Sequence, residues 1–234
     1  MTVPNSAAVV EARGLARRFG SQWVLRGLSF VVGRGECVGV RGANGSGKST
    51  LLRILGTLLR PNAGSALVYG RDVVREAEEV RRFIGCLSHL PGLYDDLTAS
   101  ENLRFAAEML GAAPTRIPEV LERVGLSDIS SERVRGFSAG MQRRVALARL
   151  LLTSPSLLLL DEPYSNLDSD GVKLINTTIG DVVQKGGAAI VVLHEIAPAS
   201  GMLDRCIKLV DGRGVDEELA DRRSRSFTAG VAVT

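Results

Sequence analysis

The hydrophobic residues of this chain fall into runs of three kinds. The first kind is short and continuous, and includes Cys37-Val38-Gly39-Val40, Leu157-Leu158-Leu159-Leu160 and residues 188–193. A strand wetted on one face alternates apolar and polar positions, so runs without alternation predict strands covered on both faces, as in a parallel sheet. Each run ends in residues able to carry chemistry: a glycine-rich loop, the sequence Asp161-Glu162-Pro163, and His194. In a parallel sheet such ends collect at one edge. The second kind, residues 8–10, 28–32 and 66–69, is separated by glycine-bearing turns and predicts a small antiparallel sheet. The third has helical spacing and fills about residues 100–152, with helices predicted over 101–110, 117–124 and 140–152.

These elements predict an α/β fold with a mainly parallel core sheet, an N-terminal antiparallel β subdomain and an inserted helical subdomain. The expected division is one domain over 1–234: a core of about 1–88 and 153–212, a helical lobe of about 89–152, and a tail of 213–234. The tail is polar, carries Arg222-Arg223-Ser224-Arg225, and is expected to fray.

Composition narrows the functional classes. With 234 residues, 45% of them hydrophobic, the chain can bury a full core, which excludes disorder as its dominant state. The net charge is only +3, from 29 basic and 26 acidic residues mixed along the sequence, so no blanket field attracts nucleic acid and no nucleic-acid partner is expected. Met1-Thr2-Val3-Pro4-Asn5-Ser6 has neither the basic segment nor the apolar stretch of a signal peptide, and a cytoplasmic chain is expected. No run approaches the roughly 18 apolar residues of a membrane-crossing helix, so any service to a membrane runs through a partner. The three cysteines, Cys37, Cys86 and Cys206, lack metal-ligand spacing and are expected to be reduced core residues.

Gly42-Ala43-Asn44-Gly45-Ser46-Gly47-Lys48-Ser49-Thr50 lies between a predicted strand and a helix predicted from Leu51. Glycines let successive backbone N–H groups wrap an anion, and the helix start adds a positive dipole end. Lys48 supplies mobile charge for the outer phosphates, Ser49 a hydroxyl for magnesium, and Thr50 a contact to an inner phosphate. The pattern is that of a P-loop for nucleotide phosphates with Mg2+, and its strand-to-helix setting disfavours a plain glycine-rich turn. Asp161 closes the leucine strand where a rigid element would hold it near that magnesium ion, the Walker B position. Glu162, one residue on, points elsewhere and is assigned the general-base task of orienting or deprotonating the attacking water. His194 is expected to contact the terminal phosphate and hold that water in line, the alternative being an ordinary buried histidine.

Phe137-Ser138-Ala139-Gly140-Met141-Gln142 precedes an arginine-rich amphipathic helix, and about twenty residues later comes the leucine strand with its Asp-Glu-Pro. That order resembles the ATPases of the ABC transporter family. The family signature is Leu-Ser-Gly-Gly-Gln, which Ser138 and Gly140 match while Phe137, Ala139 and Met141 depart from it. Ser138 reads as a helix cap, and the small residues beside it leave backbone amides open to an anion. The resemblance implies head-to-tail pairing of subunits, in which Ser138, Ala139, Gly140 and Met141 of one chain cover the ATP on the P-loop of the other. It also implies a permease partner at the cytoplasmic face of the membrane.

Three further positions follow from the resemblance. Asp168, in Ser165-Asn166-Leu167-Asp168, falls at the D-loop that joins the two halves; as bare sequence it is a turn or helix cap. Phe19, in Arg18-Phe19-Gly20, falls where the family stacks an aromatic ring on adenine, with a packed core phenylalanine as the alternative. His89 stands where most members carry the Q-loop glutamine. An imidazole is a poor magnesium ligand, so His89 is expected to act through water or at the permease contact, or to be plain loop structure.

The resemblance covers about residues 7–212. Within it, His89-Leu90-Pro91-Gly92-Leu93-Tyr94 and the stretches from Ser138 and Asp161 look like the haem-exporter subunits of cytochrome c maturation. Exporters of drugs, polysaccharides or ions use similar short subunits, and nothing in such an ATPase contacts the cargo. A soluble ABC-type ATPase of DNA repair or translation would show tandem domains or a coiled-coil insertion, and the chain has neither. A regulator without turnover would lack Glu162.

Overall fold

The computed structural model describes residues 8–194, 196–199 and 201–217; Met1 to Ser6, read above for a signal segment, and the basic cluster of residues 222–225 lie outside the described residues. Two sheets organise the chain. The first has the order β2-β1-β4-β5: β1 (Ala8–Phe19) pairs antiparallel with β2 (Gln22–Gly33) and with β4 (Ala63–Val68), and β5 (Arg71–Asp72) closes the edge. The short apolar runs read from the sequence are the buried stretches of longer strands. β1 runs for 12 residues because a register shift between Ala12 and Leu15 takes up Gly14, at φ 60°, whose N–H donates to Ser29 Oγ at 2.8 Å.

The second sheet contains β3 (Cys37–Gly42), β6 (Ile84–Leu87), β7 (Leu157–Asp161), β8 (Ala188–Val192), β9 (Arg205–Val210) and β10 (Arg213–Glu217), in the order β10-β9-β3-β8-β7-β6. Its pairings are parallel except at β10, which returns antiparallel to β9. The five residues of β10 correct the expectation that the polar tail begins after Gly212. Asp211 and Gly212, at φ 49° and 76°, make the tight turn that Asp-Gly favours between antiparallel strands.

Every residue of β7 and β8 is buried, and successive residues enter different cores. Leu157 and Leu159 join the antiparallel sheet and α1 (Lys48–Leu55), whereas Leu158 and Leu160 join α3 (Ala99–Leu110), α4 (Ile117–Arg123), α5 (Ala139–Leu151) and α6 (Ser169–Gln184). The first turn of α3 is closed by a reciprocal capping box between Thr98 and Glu101. α6, α2 (Ala77–Arg81), β6 and β9 were not read from the sequence. Among the described residues no helix is long and apolar enough to cross a membrane.

Cys37 and Cys206 are buried, but Cys86 is exposed, which corrects its placement in the core. It lies on the edge strand β6, where Gly85 and Leu87 point inward and the alternate residue points out.

Leu158 is 0% exposed and Leu58 is 69% exposed. Leu158→Ala is therefore expected to cost about 2–5 kcal/mol and Leu58→Ala about 0.5 kcal/mol or less, read as shifts in the urea unfolding midpoint at unchanged m-value.

Candidate active site

The sheet register sets four chain segments beside one another. Val40 and Asp161 both lie level with Val192, and Leu87 lies level with Leu160. The loop after β3, the Asp161-Glu162 corner, Leu193-His194 and Ser88-His89 thus leave the sheet at a common edge, as the parallel arrangement requires.

In the loop, Gly42, Gly45 and Gly47 have φ of 152°, 78° and 105°. At Gly42 and Gly47 space excludes side chains as firmly as backbone angle does, whereas Gly45 stands in open space. A Cβ on Gly42 would lie 2.5 Å from Leu209 O, and one on Gly47 would lie 2.7 Å from Leu25 Cδ2. α1 begins at Lys48 with no side-chain cap and no acidic residue in its first turn, so its leading N–H groups face the loop unneutralised. The loop closes on its own lysine: Lys48, 6% exposed, donates through Nζ to Gly42 O at 2.9 Å and Ala43 O at 3.0 Å. Asn44 and Gly45 are exposed, Ser46, Ser49 and Thr50 partly so.

Asp161 ends β7 at 9% exposure. Among the described residues the buried side-chain polar atoms without a hydrogen-bond partner are Arg17 Nε, Ser46 Oγ, Arg71 Nε and Asp161 Oδ1, so half of these orphans belong to this site. Buried polar atoms are normally paired, and Asp161 Oδ1, the orphan whose residue lines the adjoining cavity, is a group that an ion or ligand there can satisfy. A cavity of about 380 Å³ joins Ser49, Ser88, His89, Asp161 and Glu162.

Glu162 turns aside because its backbone is left-handed, φ 50°, with its N–H donating to Val192 O at 3.1 Å. Its carboxylate is bracketed by imidazoles: Oε1 lies 2.6 Å from His194 Nε2 and Oε2 lies 3.3 Å from His89 Nδ1. His194 is exposed, which excludes the buried-histidine alternative. His89 reaches the carboxylate directly, where the sequence suggested water, a permease contact or plain loop structure.

Ser138 caps α5, its Oγ accepting from Met141 N at 3.2 Å. Ala139 is exposed beside it and Met141 packs on the helical core. Gly140 tolerates no side chain, because a Cβ there would stand 2.9 Å from Asn166 O. Asp168 caps α6 through Gly171 N at 2.8 Å and also accepts from Arg144 Nη2 at 2.9 Å, so within one chain it is a helix cap. Phe19 is 47% exposed at the mouth of the β1–β2 hairpin, with the Arg17 guanidinium 4.8 Å from its ring centroid. A core role for that ring is thereby excluded.

Arg143 went unread in the sequence. It is 3% exposed and donates to main-chain carbonyls of Ser88, His89, Asp161 and Glu162. The available signal was an arginine in register with Leu147 and Leu150 on the apolar stripe of α5.

Comparison with known proteins bears on this geometry. The family model described as ABC transporter matches residues 25–165. A cytochrome c biogenesis ATP-binding export protein, CcmA 2 of Cupriavidus metallidurans, is 40% identical over 196 residues, 83% of this chain and 93% of its own length. A daunorubicin resistance ATP-binding protein, DrrA3 of Streptomyces coeruleorubidus, is 41% identical over 213 residues, 89% of this chain and 67% of its own. Among solved structures, a dimeric ATP-binding cassette in a post-hydrolysis state with ADP and Pi superimposes with a TM-score of 0.81 at 28% identity, over 91% of this chain and 99% of that one.

Donation from the Gly171 amide, and then from Arg144, holds the Asp168 carboxyl below its ordinary pKa. A carboxyl depressed on folding contributes stability in full above its unfolded pKa and loses it as pH falls through the folded value. Asp168→Asn keeps the cap but removes the titration, and its acid unfolding profile is expected to be flatter below about pH 4. Identical acid limbs in both proteins would contradict this.

Proposed function

The chain belongs to the ABC transporter family, as an ATP-binding, ATP-hydrolysing subunit, and from that premise we propose that it powers export through a separate membrane permease. The observation that carries catalysis is Glu162, held between imidazoles at the rim of a cavity shared with Ser49 and Asp161. In this reading the loop amides from Gly42 to Gly47 receive the phosphates of ATP, and Lys48 exchanges its carbonyl partners for outer phosphate oxygens. Thr50 meets an inner phosphate, and the exposed ring of Phe19 stacks on adenine.

The donor set fits magnesium: a hydroxyl and a carboxylate line one cavity, and Asp161 Oδ1 is buried without a partner. Ser49 and Asp161 would hold the ion, whose charge would offset that of the phosphates. Glu162 orients and deprotonates the attacking water, and His194 fixes both the carboxylate and the water.

Ser138, Ala139, Gly140 and Met141 of one copy cover the nucleotide of a second copy, which the open amides at the start of α5 suit. Asp168 joins the copies while serving as a cap within its own chain. The permease contact is assigned to a groove of about 440 Å³ beside β6 and α3, which exposes Tyr94, Phe105, Met109 and Leu110 with Arg81 and Arg149 at its sides. Through that contact the chain sits at the cytoplasmic face of the membrane.

Haem export for cytochrome c biogenesis is the cargo reading supported by the CcmA relative and by the sequence around His89, Ser138 and Asp161. Drug export is the second reading, supported by the daunorubicin resistance relative at 41% identity. The permease decides between them. Pull-down from detergent-solubilised native membranes with the Glu162→Gln chain and ATP is expected to recover a multi-span permease with haem-handling proteins. Another permease alone would discard haem, and soluble partners alone would overturn the transport reading.

Glu162→Gln is also expected to lower kcat by about 10²–10⁴ and to leave an ATP-held dimer by light scattering; a monomer at saturating ATP and magnesium would sink the paired-copy reading. Lys48→Ala is expected to weaken ATP binding about tenfold or more by calorimetry, with parent-like affinity refuting the phosphate assignment.

A further inference from the structure

Arg143 lies one turn into α5, between the capped start of the helix and the catalytic edge of the sheet. A guanidinium has five N–H donors in one plane and no acceptor. Here every contact they make is to a main-chain carbonyl. Nη1 donates to Ser88 O and to His89 O, the latter at 3.1 Å; Nη2 donates to Asp161 O at 2.9 Å and Glu162 O at 2.7 Å; Nε reaches Pro163 O at 3.5 Å, the limit of a hydrogen bond. One planar group thus spans two segments that are far apart in sequence, the loop carrying His89 and the corner carrying Glu162.

Both segments need such a tie. Glu162 is in the left-handed region that disfavours side chains, a conformation that persists only where its surroundings over-determine it. Ser88 and His89 have left the edge strand, and β6 has a neighbour on one side only. The charge itself is accommodated: burial pushes the Arg143 pKa down from its ordinary value, while attraction from Asp161 and then Glu162 opposes that shift.

We propose that Arg143 is a positioning residue for the catalytic carboxylate: it locks the His89 loop and the Glu162 corner into one body carried by α5. A movement of the signature end of α5 then reaches Glu162 and His89 together. This inference rests on the reading of Glu162 as the general base and of the start of α5 as the surface that meets a second copy.

Lysine retains the charge but presents its donors from a single point, so it cannot bridge both segments. In the full chain, Arg143→Lys is expected to lower kcat by about tenfold to a hundredfold while KM and nucleotide affinity stay within about twofold. His89→Ala added to Arg143→Lys should then cost less than it does in the parent, because the two act through the same carboxylate. Parent-like kcat in Arg143→Lys, or a fall in nucleotide affinity as large as the fall in kcat, overturns the proposal; an additive double variant does so as well. A parent chain that fails to hydrolyse ATP would instead sink the underlying catalytic reading. If that occurs, or if the variant does not fold, hydrogen exchange of the parent decides: the amides of residues 87–90 and those of Glu162, Tyr164 and Ser165 must open with the same free energy, and independent opening rejects the shared body.

Discussion

The strand β7 is covered on both faces, and the positions of the catalytic groups follow from that constraint. Leu157 and Leu159 belong to one core, and Leu158 and Leu160 to the other. A slip of one residue would exchange the faces and draw Asp161 out of position, so the register is fixed by every leucine at once. Full burial of each stabilises by about 1.5–3 kcal/mol, while a left-handed non-glycine residue costs about 1–3 kcal/mol. The strand therefore carries the strained Glu162 corner with stabilisation in reserve.

Electrostatics at the strand end works with this rigidity. Asp161 and Glu162 would repel one another in a dry edge, but Arg143 lies behind their carbonyls and imidazoles lie before the Glu162 carboxylate. Positive and dipolar groups are thus in place around the Glu162 corner before any ligand arrives, and the rearrangement on binding falls on Lys48 and its loop.

Much of this was legible because the strongest signals were local. Continuous apolar runs gave β3, β7 and β8, and the glycines of the phosphate loop declared a backbone that side chains cannot adopt. α6 was missed because its sequence, with Gly171, Gly180 and several β-branched residues, has weak intrinsic helix preference; packing of Ile175, Ile179 and Val183 overrides it. The β9–β10 hairpin had a readable signal in Asp211-Gly212, obscured by the polar alternation of an exposed edge strand. The seat of His89 and the hydrogen bonds from Arg143 to Ser88 and His89 join segments more than fifty residues apart, so the place of Arg143 on the stripe of α5 signalled its burial but not its partners.

The whole chain contains 2 histidines, and both lie against the same carboxylate. Every imidazole signal in the proton NMR spectrum of this protein therefore originates at the catalytic corner. Natural abundance alone makes the chain its own spectroscopic reporter, and events at the distant groove or at the start of α5 become visible in those resonances to the extent that they reach Glu162.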